Sequence, residues 1–301
     1  MSLLGDLNDI TKKYGSDSDS LGRTKILENE PLDKYTSLKV GGCAEFFVQP
    51  WQKEEIAEIY KYCYGKCKIT ILGGGTNLIF GDGLIEGLVI SMRDFMFNSY
   101  SLDYTSEALA GCPLTHVTGS KFAGLEFMDG IPGTVGGAIY GNAGTVEHGF
   151  CELLESVTTV EPDGNIITWP IEKIKYSYRY CSLSDSDRLI LSCVVRYGRG
   201  FVNEQLLKEY RDRRKKQPLG SRTAGSIFKN PENDSAGRLL EISGCKNLRV
   251  GDAVVSYKHA NFIINAGHAS GDDVINLINI CREKVYNQTG ILLEPEVKIC
   301  T

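Results

Sequence analysis

Two glycine-rich segments have the composition of a ligand-binding backbone. LGGGTNL spans 72–78 and IPGTVGGAIYGNAG spans 131–144. Glycine loses the most conformational freedom on folding, so this concentration needs a compensating role, such as close approach of bare N–H groups to an anion. Neither segment has the spacing of a dinucleotide-binding GxGxxG or of a P-loop. Together they predict a site for a large phosphorylated cofactor, although each alone is also typical of a tight turn. Thr134 is the expected N-cap of a short helix that begins at Val135.

Polar side chains in three later motifs are candidates for chemistry. Arg179 lies among aromatic residues in YSYRYC, where arginine is costly unless it is paired or meets an anion. Ser226 and Lys229 in AGSIFKNP would face opposite sides of a regular strand, so a shared site needs a bend at 230–231. From the residues alone, a plain turn is favoured there. Glu296 in LEPEV is a carboxylate on a polar strand face, and a solvated glutamate is the alternative.

Composition limits the possible partners and compartments. The net charge of −5 and the pI near 5.5 argue against nucleic-acid binding. The basic segment 208–218 is the local exception, and either a solvated helix face or an anion site explains it. No apolar run reaches the length of a membrane span, and the start of the chain does not resemble a secretory signal. Ten cysteines without a CxxC pair predict reduced, mostly buried thiols in the cytoplasm and no metal site.

Hydrophobic periodicity and turn residues predict a mixture of helices and strands. Without strict alternation of strand and helix, the pattern favours an α+β protein. The segment 270–290 is the clearest helix, with Ser270 as N-cap, Asp273 three residues later and Gly290 at the end. Further helices are predicted at 52–63, 113–124, 203–216 and 238–243; strands at 69–72, 87–92, 187–198, 260–267 and 291–299; and a hairpin at 154–169 with its turn at 162–164.

The motifs taken together resemble the UDP-N-acetylenolpyruvoylglucosamine reductases, the MurB family of flavoenzymes in peptidoglycan synthesis. The resemblance covers about residues 30–299 and rests on eight motifs in the family's order, a combination that is highly specific. The motifs are YTSLKVGG, ILGGGTNLI, GLEFMDGIPGTVGGAIYGNAG, YSYRYC, RKKQP, AGSIFKNP, SYKHANFIIN and GILLEPEVKI. The segment 141–149 departs from the family's usual pattern. The short chain is similar to the branch of the family that lacks an extra tyrosine-bearing loop.

The resemblance implies a fold and a set of site residues. The expected fold is an N-terminal segment (1–34), an FAD-binding PCMH-type domain of two α+β subdomains (35–200) and a C-terminal α+β substrate-binding domain (201–301). The implied catalytic residues are Arg179, Ser226 and Glu296, and the implied substrate contacts are Tyr178, Lys229 and Asn230. The implied FAD contacts are Gly73, Gly74, Gly75, Thr76, Asn77, Leu78, Pro132, Gly133, Thr134, Gly136, Gly137, Ala138, Asn142, Gly144 and Arg213.

The resemblance also implies a reaction in two halves. NADPH reduces FAD, and the flavin then passes hydride to C3 of the enolpyruvyl group of UDP-N-acetylglucosamine enolpyruvate. Arg179 is expected to stabilise the enolate, Glu296 to orient or share a proton, and Ser226 to protonate C2. An FAD oxidase or dehydrogenase of another alcohol or sugar is one alternative, but it has no need of both AGSIFKNP and LEPEV. A catalytically inactive flavin-binding or nucleotide-binding module is another, and the intact trio argues against it.

Overall fold

The computed structural model describes residues 3–14, 24–100, 104–118 and 122–301. Helices and strands are mixed along the chain without strict alternation, which confirms the α+β prediction. The helices are α1 Leu3–Lys12, α2 Lys53–Cys63, α3 Leu114–Val117, α4 Val135–Tyr140, α5 Glu204–Arg214, α6 Ala236–Ile242 and α7 Gly271–Thr289. The strands are β1 Lys25–Pro31, β2 Cys43–Gln49, β3 Ile69–Leu72, β4 Leu78–Phe80, β5 Leu84–Ser91, β6 Asn98–Tyr100, β7 Thr105–Leu109, β8 Leu154–Val160, β9 Ile166–Pro170, β10 Tyr176–Ser177, β11 Tyr180–Cys181, β12 Leu189–Arg196, β13 Arg249–Val250, β14 Ala253–Val255, β15 Ile263–Asn265 and β16 Lys298–Cys300.

The chain forms two compact units that interleave along the sequence. The first unit comprises the described residues within Met1–Glu30, Glu45–Gly74 and Glu86–Arg211. The second unit comprises Pro31–Ala44, Gly75–Ile85 and Asp212–Thr301. The boundary at Gly74–Gly75 therefore divides the first glycine segment. The continuous domain bounds 1–34, 35–200 and 201–301 stay a prediction.

Two sheets organise the first unit. One has the strand order β1-β2-β5-β3, and the other is a five-stranded sheet in the order β6-β7-β12-β8-β9. Strands β3 and β5 are parallel, with Ile69 opposite Leu88 and Leu72 opposite Ser91, so their carboxyl ends meet at one edge. Strands β8 and β9 are an antiparallel hairpin whose turn contains Gly164 at φ 85°, which confirms the predicted hairpin.

Helix α2 shows how the first core is built. Ile56, Ile59, Tyr60 and Cys63 are all buried on one face, as the periodicity predicts. Burial of a large aliphatic side chain of this kind contributes about 1.5–3 kcal/mol. All ten cysteines are free and eight are buried, which confirms the predicted buried thiols.

The predicted helix at 113–124 is wrong in its length. Helix α3 ends at Val117, and Thr118 is extended at φ −132° and ψ −172°. Thr118 Oγ1 donates to the carbonyl oxygen of Leu114 at 2.8 Å, so the side chain satisfies an acceptor at the end of the helix. A β-branched residue that bonds locally in this way competes with continuation of the helix. Residues 119–121 of the predicted helix lie outside the described residues.

The second unit contains a three-stranded antiparallel sheet, β13-β14-β15, and a parallel pair, β16-β4. Helix α7 confirms its predicted bounds and both of its caps. Ser270 accepts from the N–H of Asp273 and the Asp273 side chain accepts from the N–H of Ser270, a complete capping box. Gly290 ends the helix in the left-handed conformation at φ 73°. One face of the helix is buried, formed by Val274, Leu277, Ile278, Cys281 and Val285.

The predicted strand at 291–299 is mostly irregular backbone. Only its last residues, from Lys298, belong to β16. Pro295 has no N–H to donate and makes only an isolated bridge with Phe228, which prevents a continuous ladder. Leu293 and Val297 are nevertheless buried, although the backbone between them is not a strand. No helix within the described ranges is long and apolar enough to cross a membrane.

Candidate functional site

The first two glycines of LGGGTNL lie against the second glycine segment within the first unit. A Cβ atom added to Gly74 would lie 2.9 Å from the Cα of Gly133, and one added to Gly73 would lie 2.5 Å from Thr134 Oγ1. Contacts this short leave no room for a side chain on either glycine. The glycines therefore allow two backbone segments to meet, and the loop after β3 is fixed beside the start of α4.

Arg93 is a polar neighbour of this loop that is not among the residues predicted from the sequence. It follows β5, and its Nη2 donates to the carbonyl oxygen of Gly74 at 3.1 Å. Its Nε donates to the carbonyl oxygen of Gly73 at 3.4 Å. No sequence pattern signals it, because the loops after β3 and β5 lie side by side only once those strands pair.

Thr134 occupies the predicted N-cap position but does not cap the helix. Its backbone is extended, at φ −115° and ψ 161°, yet its side chain makes no capping hydrogen bond. The residue is 6% exposed, and no described residue is a hydrogen-bond partner of Oγ1. A buried hydroxyl in this state is costly unless a ligand or water completes it. Gly137 lies beside it, with the site of an added Cβ 3.6 Å from Oγ1.

The remaining predicted contacts of α4 are a mixture of exposed and packed positions. Pro132 and Gly137 are exposed, whereas Ala138 is buried. A Cβ on Gly136 would lie 2.8 Å from the Cβ of Ala110, so this glycine allows α4 to pack closely against the residue that follows β7. The exposed residues Pro132 and Gly137 thus flank Thr134, whose buried hydroxyl has no partner among the described residues.

Asn142 joins the end of the glycine segment to the hairpin of β10 and β11. Its Nδ2 donates to the carbonyl oxygen of Ser177 at 2.8 Å, and its Oδ1 accepts from the N–H of Cys151 at 2.9 Å. The residue is 3% exposed and has φ 42°, a conformation that asparagine tolerates better than most residues. A cavity of about 190 Å³ lies between this segment and the hairpin, and Tyr178 is among its lining residues.

Arg179 lies in the tight turn of the same hairpin, at φ 53°. Its Nη2 donates to the carbonyl oxygen of Gly144 at 3.0 Å, and its guanidinium lies 5.0 Å from the ring centre of Tyr178. The residue is half-buried. These contacts hold a planar group of donors beside the cavity, an arrangement suited to a carboxylate or phosphate.

In the second unit, the segment 226–230 lies along the segment 294–296. The N–H of Glu296 donates to the carbonyl oxygen of Ile227 at 2.7 Å, and the N–H of Lys229 donates to that of Glu294 at 2.9 Å. Ser226 is bridged on its other side to Phe262. The fold therefore brings the backbones of Ser226 and Glu296 together across 70 residues of sequence.

Other residues predicted from the sequence support the same place. Asn77 Nδ2 donates to the carbonyl oxygen of Glu296 at 3.1 Å, and Leu78 pairs with Lys298 at the start of β4. Lys229 Nζ lies 2.6 Å from Glu294 Oε1, so an ion pair orients its ammonium group. Asn230 Oδ1 accepts from the N–H of Ala236 at 3.0 Å and connects this segment to α6.

Gly75 and Thr76 are the first residues of the glycine loop that belong to the second unit. Gly75 has φ 66°, and an added Cβ would lie 2.0 Å from the carbonyl oxygen of Tyr35, so only glycine fits. Thr76 is half-buried. Arg213 is exposed near the end of α5. Arg179 belongs to the first unit, whereas Ser226 and Glu296 belong to the second.

Comparison with known proteins identifies relatives over nearly the whole chain. Residues 217–300 match the profile of the C-terminal domain of UDP-N-acetylenolpyruvoylglucosamine reductase, and residues 44–169 match an FAD-binding domain. A UDP-N-acetylenolpyruvoylglucosamine reductase of Desulforamulus reducens is 38% identical over 291 residues, covering 93% of this chain and 95% of that protein. The Clostridioides difficile reductase is 35% identical, covering 93% of this chain and 94% of its own length.

A solved structure agrees with these relatives. The MurB reductase of Thermus caldophilus superposes with a TM-score of 0.75 at 30% identity, covering 93% of this chain and all of that one. The likeness extends over both compact units, so the FAD-binding and C-terminal domains expected from the sequence are confirmed in kind.

Proposed function

The chain belongs to the UDP-N-acetylenolpyruvoylglucosamine reductase family of FAD-dependent oxidoreductases, and on that premise we propose a role for each site residue. The substrate is UDP-N-acetylglucosamine enolpyruvate, the electron donor is NADPH, and the product is UDP-N-acetylmuramate. The observation that carries the assignment of residues is the pairing of 226–229 with 294–296, which holds a hydroxyl-bearing and a carboxylate-bearing residue side by side.

The glycine segments of the first unit have the chemistry that FAD requires. Gly73 and Gly74 carry no side chain beside their own peptide groups, and Thr134 has a buried hydroxyl that lacks a partner among the described residues. Bare peptide N–H groups and hydroxyls are suitable donors for a diphosphate. FAD, when bound, supplies the hydride that it has received from NADPH. Pro132, Gly137 and Asn142 are proposed to border the flavin side.

Arg179 is proposed to bind the substrate carboxylate. Negative charge grows on that carboxylate as the enolate forms, and a fixed guanidinium stabilises it without reorganisation. Its bond to the carbonyl oxygen of Gly144 and its contact with Tyr178 fix the direction of the fork. Tyr178 is proposed as a substrate contact because it lines the cavity beside Arg179.

Ser226 is proposed to give the proton to C2. A serine hydroxyl is a weak acid in water, so it needs a rigid position and a nearby cation. The backbone bonds of the segment supply the rigidity. Lys229, three residues later, is proposed as the source of positive charge. Glu296 is proposed to orient or share that proton. Asn230 and Arg213 are proposed to contact substrate and cofactor respectively.

A cytoplasmic location is part of the proposal. The ten cysteines are all free, which is usual in a reducing compartment. We further propose that the protein does not bind nucleic acid, because its net charge is −5. We also propose that it does not insert into a membrane, because no apolar run in its sequence reaches the length of a span.

The assignment of Ser226 is tested by separating the two half-reactions of Ser226→Ala. Reduction by NADPH is expected to keep its rate, because no proton is delivered to C2 in that step. Reoxidation by the enolpyruvyl nucleotide is expected to slow by at least ~10²-fold, the lower end for a positioned general acid. Stopped-flow absorbance at the flavin band measures both rates.

Ser221→Ala is the matched control, because this exposed serine lies five residues earlier in the same segment. It is expected to change neither rate. Equal slowing of both half-reactions in Ser226→Ala would make the serine structural. Unchanged rates in both would assign the proton to another group.

A further inference from the structure

Arg93 lies where the loops after two parallel strands meet. Strand β3 ends at Leu72 and leads into Gly73, whereas β5 ends at Ser91, directly opposite Leu72. The N–H of Met92 donates to the carbonyl oxygen of Leu72 at 2.8 Å, which extends the ladder by one bond. This pairing therefore places the next residue, Arg93, beside the glycine loop. Neither the sequence motifs nor the family resemblance singles it out.

The guanidinium of Arg93 fixes the direction of two successive peptide groups. It donates to the carbonyl oxygens of Gly73 and Gly74, at 3.4 and 3.1 Å. In a trans peptide the carbonyl oxygen and the following N–H point in opposite directions. The N–H groups of Gly74 and Gly75 therefore point away from the guanidinium. Within the described part of the chain, no protein acceptor takes either of these N–H groups.

Two adjacent glycine N–H groups that share a direction form an anion-binding concavity. We propose that Arg93 is a positioning residue for the diphosphate of FAD, because it holds these two peptide groups with their donors facing the ligand. The guanidinium also polarises the peptides to which it donates and so strengthens their N–H groups as donors. Its positive charge favours the dianionic ligand in a chain whose net charge is −5. The inference rests on the FAD dependence of the enzyme and deepens it.

The test uses the holoenzyme and two substitutions. Arg93→Met removes the donors and the charge but keeps much of the apolar stem, and Arg93→Lys keeps the charge and one donor group. The free FAD concentration that restores half of the NADPH-dependent activity is measured, together with the rate of FAD release on dilution, followed by flavin fluorescence.

For Arg93→Met we expect the half-saturating FAD concentration to rise by at least about tenfold, with release correspondingly faster. At saturating FAD the kcat is expected to stay within about twofold of the unsubstituted enzyme, because Arg93 acts on binding through the glycine loop. Arg93→Lys is expected to give an intermediate value. The control is Arg196→Met, since Arg196 is an exposed arginine of β12 in the same unit, and it should leave FAD affinity unchanged.

Several results would overturn the inference. Unchanged FAD affinity in Arg93→Met would show that the loop holds its peptide directions without the guanidinium. A lowered Tm at saturating FAD, with Arg93→Lys as impaired as Arg93→Met, would make the residue merely structural. A loss of kcat without any change in FAD affinity would place its role elsewhere. None of these outcomes depends on whether Ser226 delivers the proton, so failure here is distinguishable from failure of the proposed residue roles.

Discussion

Replacement of Gly74 by alanine tests the close packing of the two glycine segments. The new Cβ would lie 2.9 Å from Gly133 Cα, 3.3 Å from Gly133 C and 3.5 Å from Thr134 N. All three atoms belong to the backbone, so no flexible side chain can move aside. Ordinary contacts begin near 3.4 Å, and the segments must separate by a few tenths of an ångström. Overpacking of this kind costs about 1–3 kcal/mol.

The cost in Gly74→Ala is expected to appear in FAD affinity, because separation of the segments turns the peptide groups that face the cofactor. Converted fully into affinity, 1–3 kcal/mol corresponds to a roughly 5- to 150-fold higher Kd for FAD. Equilibrium titration by flavin fluorescence measures Kd, and thermal unfolding at saturating FAD measures stability. Gly83→Ala is the control, since an added Cβ there meets no atom within 4 Å.

The reasoning would be refuted if Gly74→Ala bound FAD as tightly as Gly83→Ala and unfolded at the same temperature. That result would mean that the two segments are not held against each other. A lower Tm with unchanged Kd would mean that the contact stabilises the fold without shaping the cofactor site.

Further substitutions test separate parts of the structure. Arg213→Ala should weaken FAD or substrate binding by about 1.5 kcal/mol. This is the lower end for a charge-assisted hydrogen bond, because the side chain is exposed. Unchanged binding titrations for both ligands would show that Arg213 is only a solvated residue. Asn142→Asp keeps an acceptor for the N–H of Cys151 but loses the donor to Ser177, so the free energy of unfolding should fall by about 1–3 kcal/mol in urea titrations. Ser270→Ala removes the N-cap of α7 and should cost about 1 kcal/mol by the same measurement, with activity per folded enzyme unchanged.

Local signals in the sequence are sufficient for elements whose ends and faces are set by nearby residues. The caps of α7 at Ser270 and Gly290 and the turn at Gly164 lie within a few residues of the groups they satisfy, so the pattern predicts them. The same holds for the buried face of α2. Such elements are predictable because their hydrogen bonds are short-range.

Elements that depend on distant partners are not predictable in this way. The segment 291–297 alternates like a strand, but its backbone hydrogen bonds are made with Ile227 and Lys229 rather than with a regular neighbouring strand. It therefore stays irregular. The bonds of Arg93 to the glycine loop likewise depend on a parallel pairing of β3 with β5. No periodicity records such pairings. The proximity of Ser226 and Glu296 was available only through the family resemblance.

At Thr134 the local sequence predicts the N-cap position correctly but the hydrogen bond of the side chain wrongly. The sequence predicts an N-cap, and the backbone of Thr134 has the expected extended conformation. The hydroxyl, however, makes no capping bond and remains buried beside Gly73. A rule based on caps assumes that the helix end is the best partner for the hydroxyl. Where a ligand is the better partner, the side chain departs from the rule.

The central claim is that the reduced enzyme transfers its electrons to an enolpyruvyl nucleotide. The direct measurement is anaerobic: the purified protein is reduced with one equivalent of NADPH, and UDP-N-acetylglucosamine enolpyruvate is then added while the flavin band is followed. The account predicts bleaching by NADPH, full return of the oxidised band within the mixing experiment, and one equivalent of UDP-N-acetylmuramate. A band that stays bleached with this substrate, but returns with another alcohol- or sugar-derived acceptor, would contradict it.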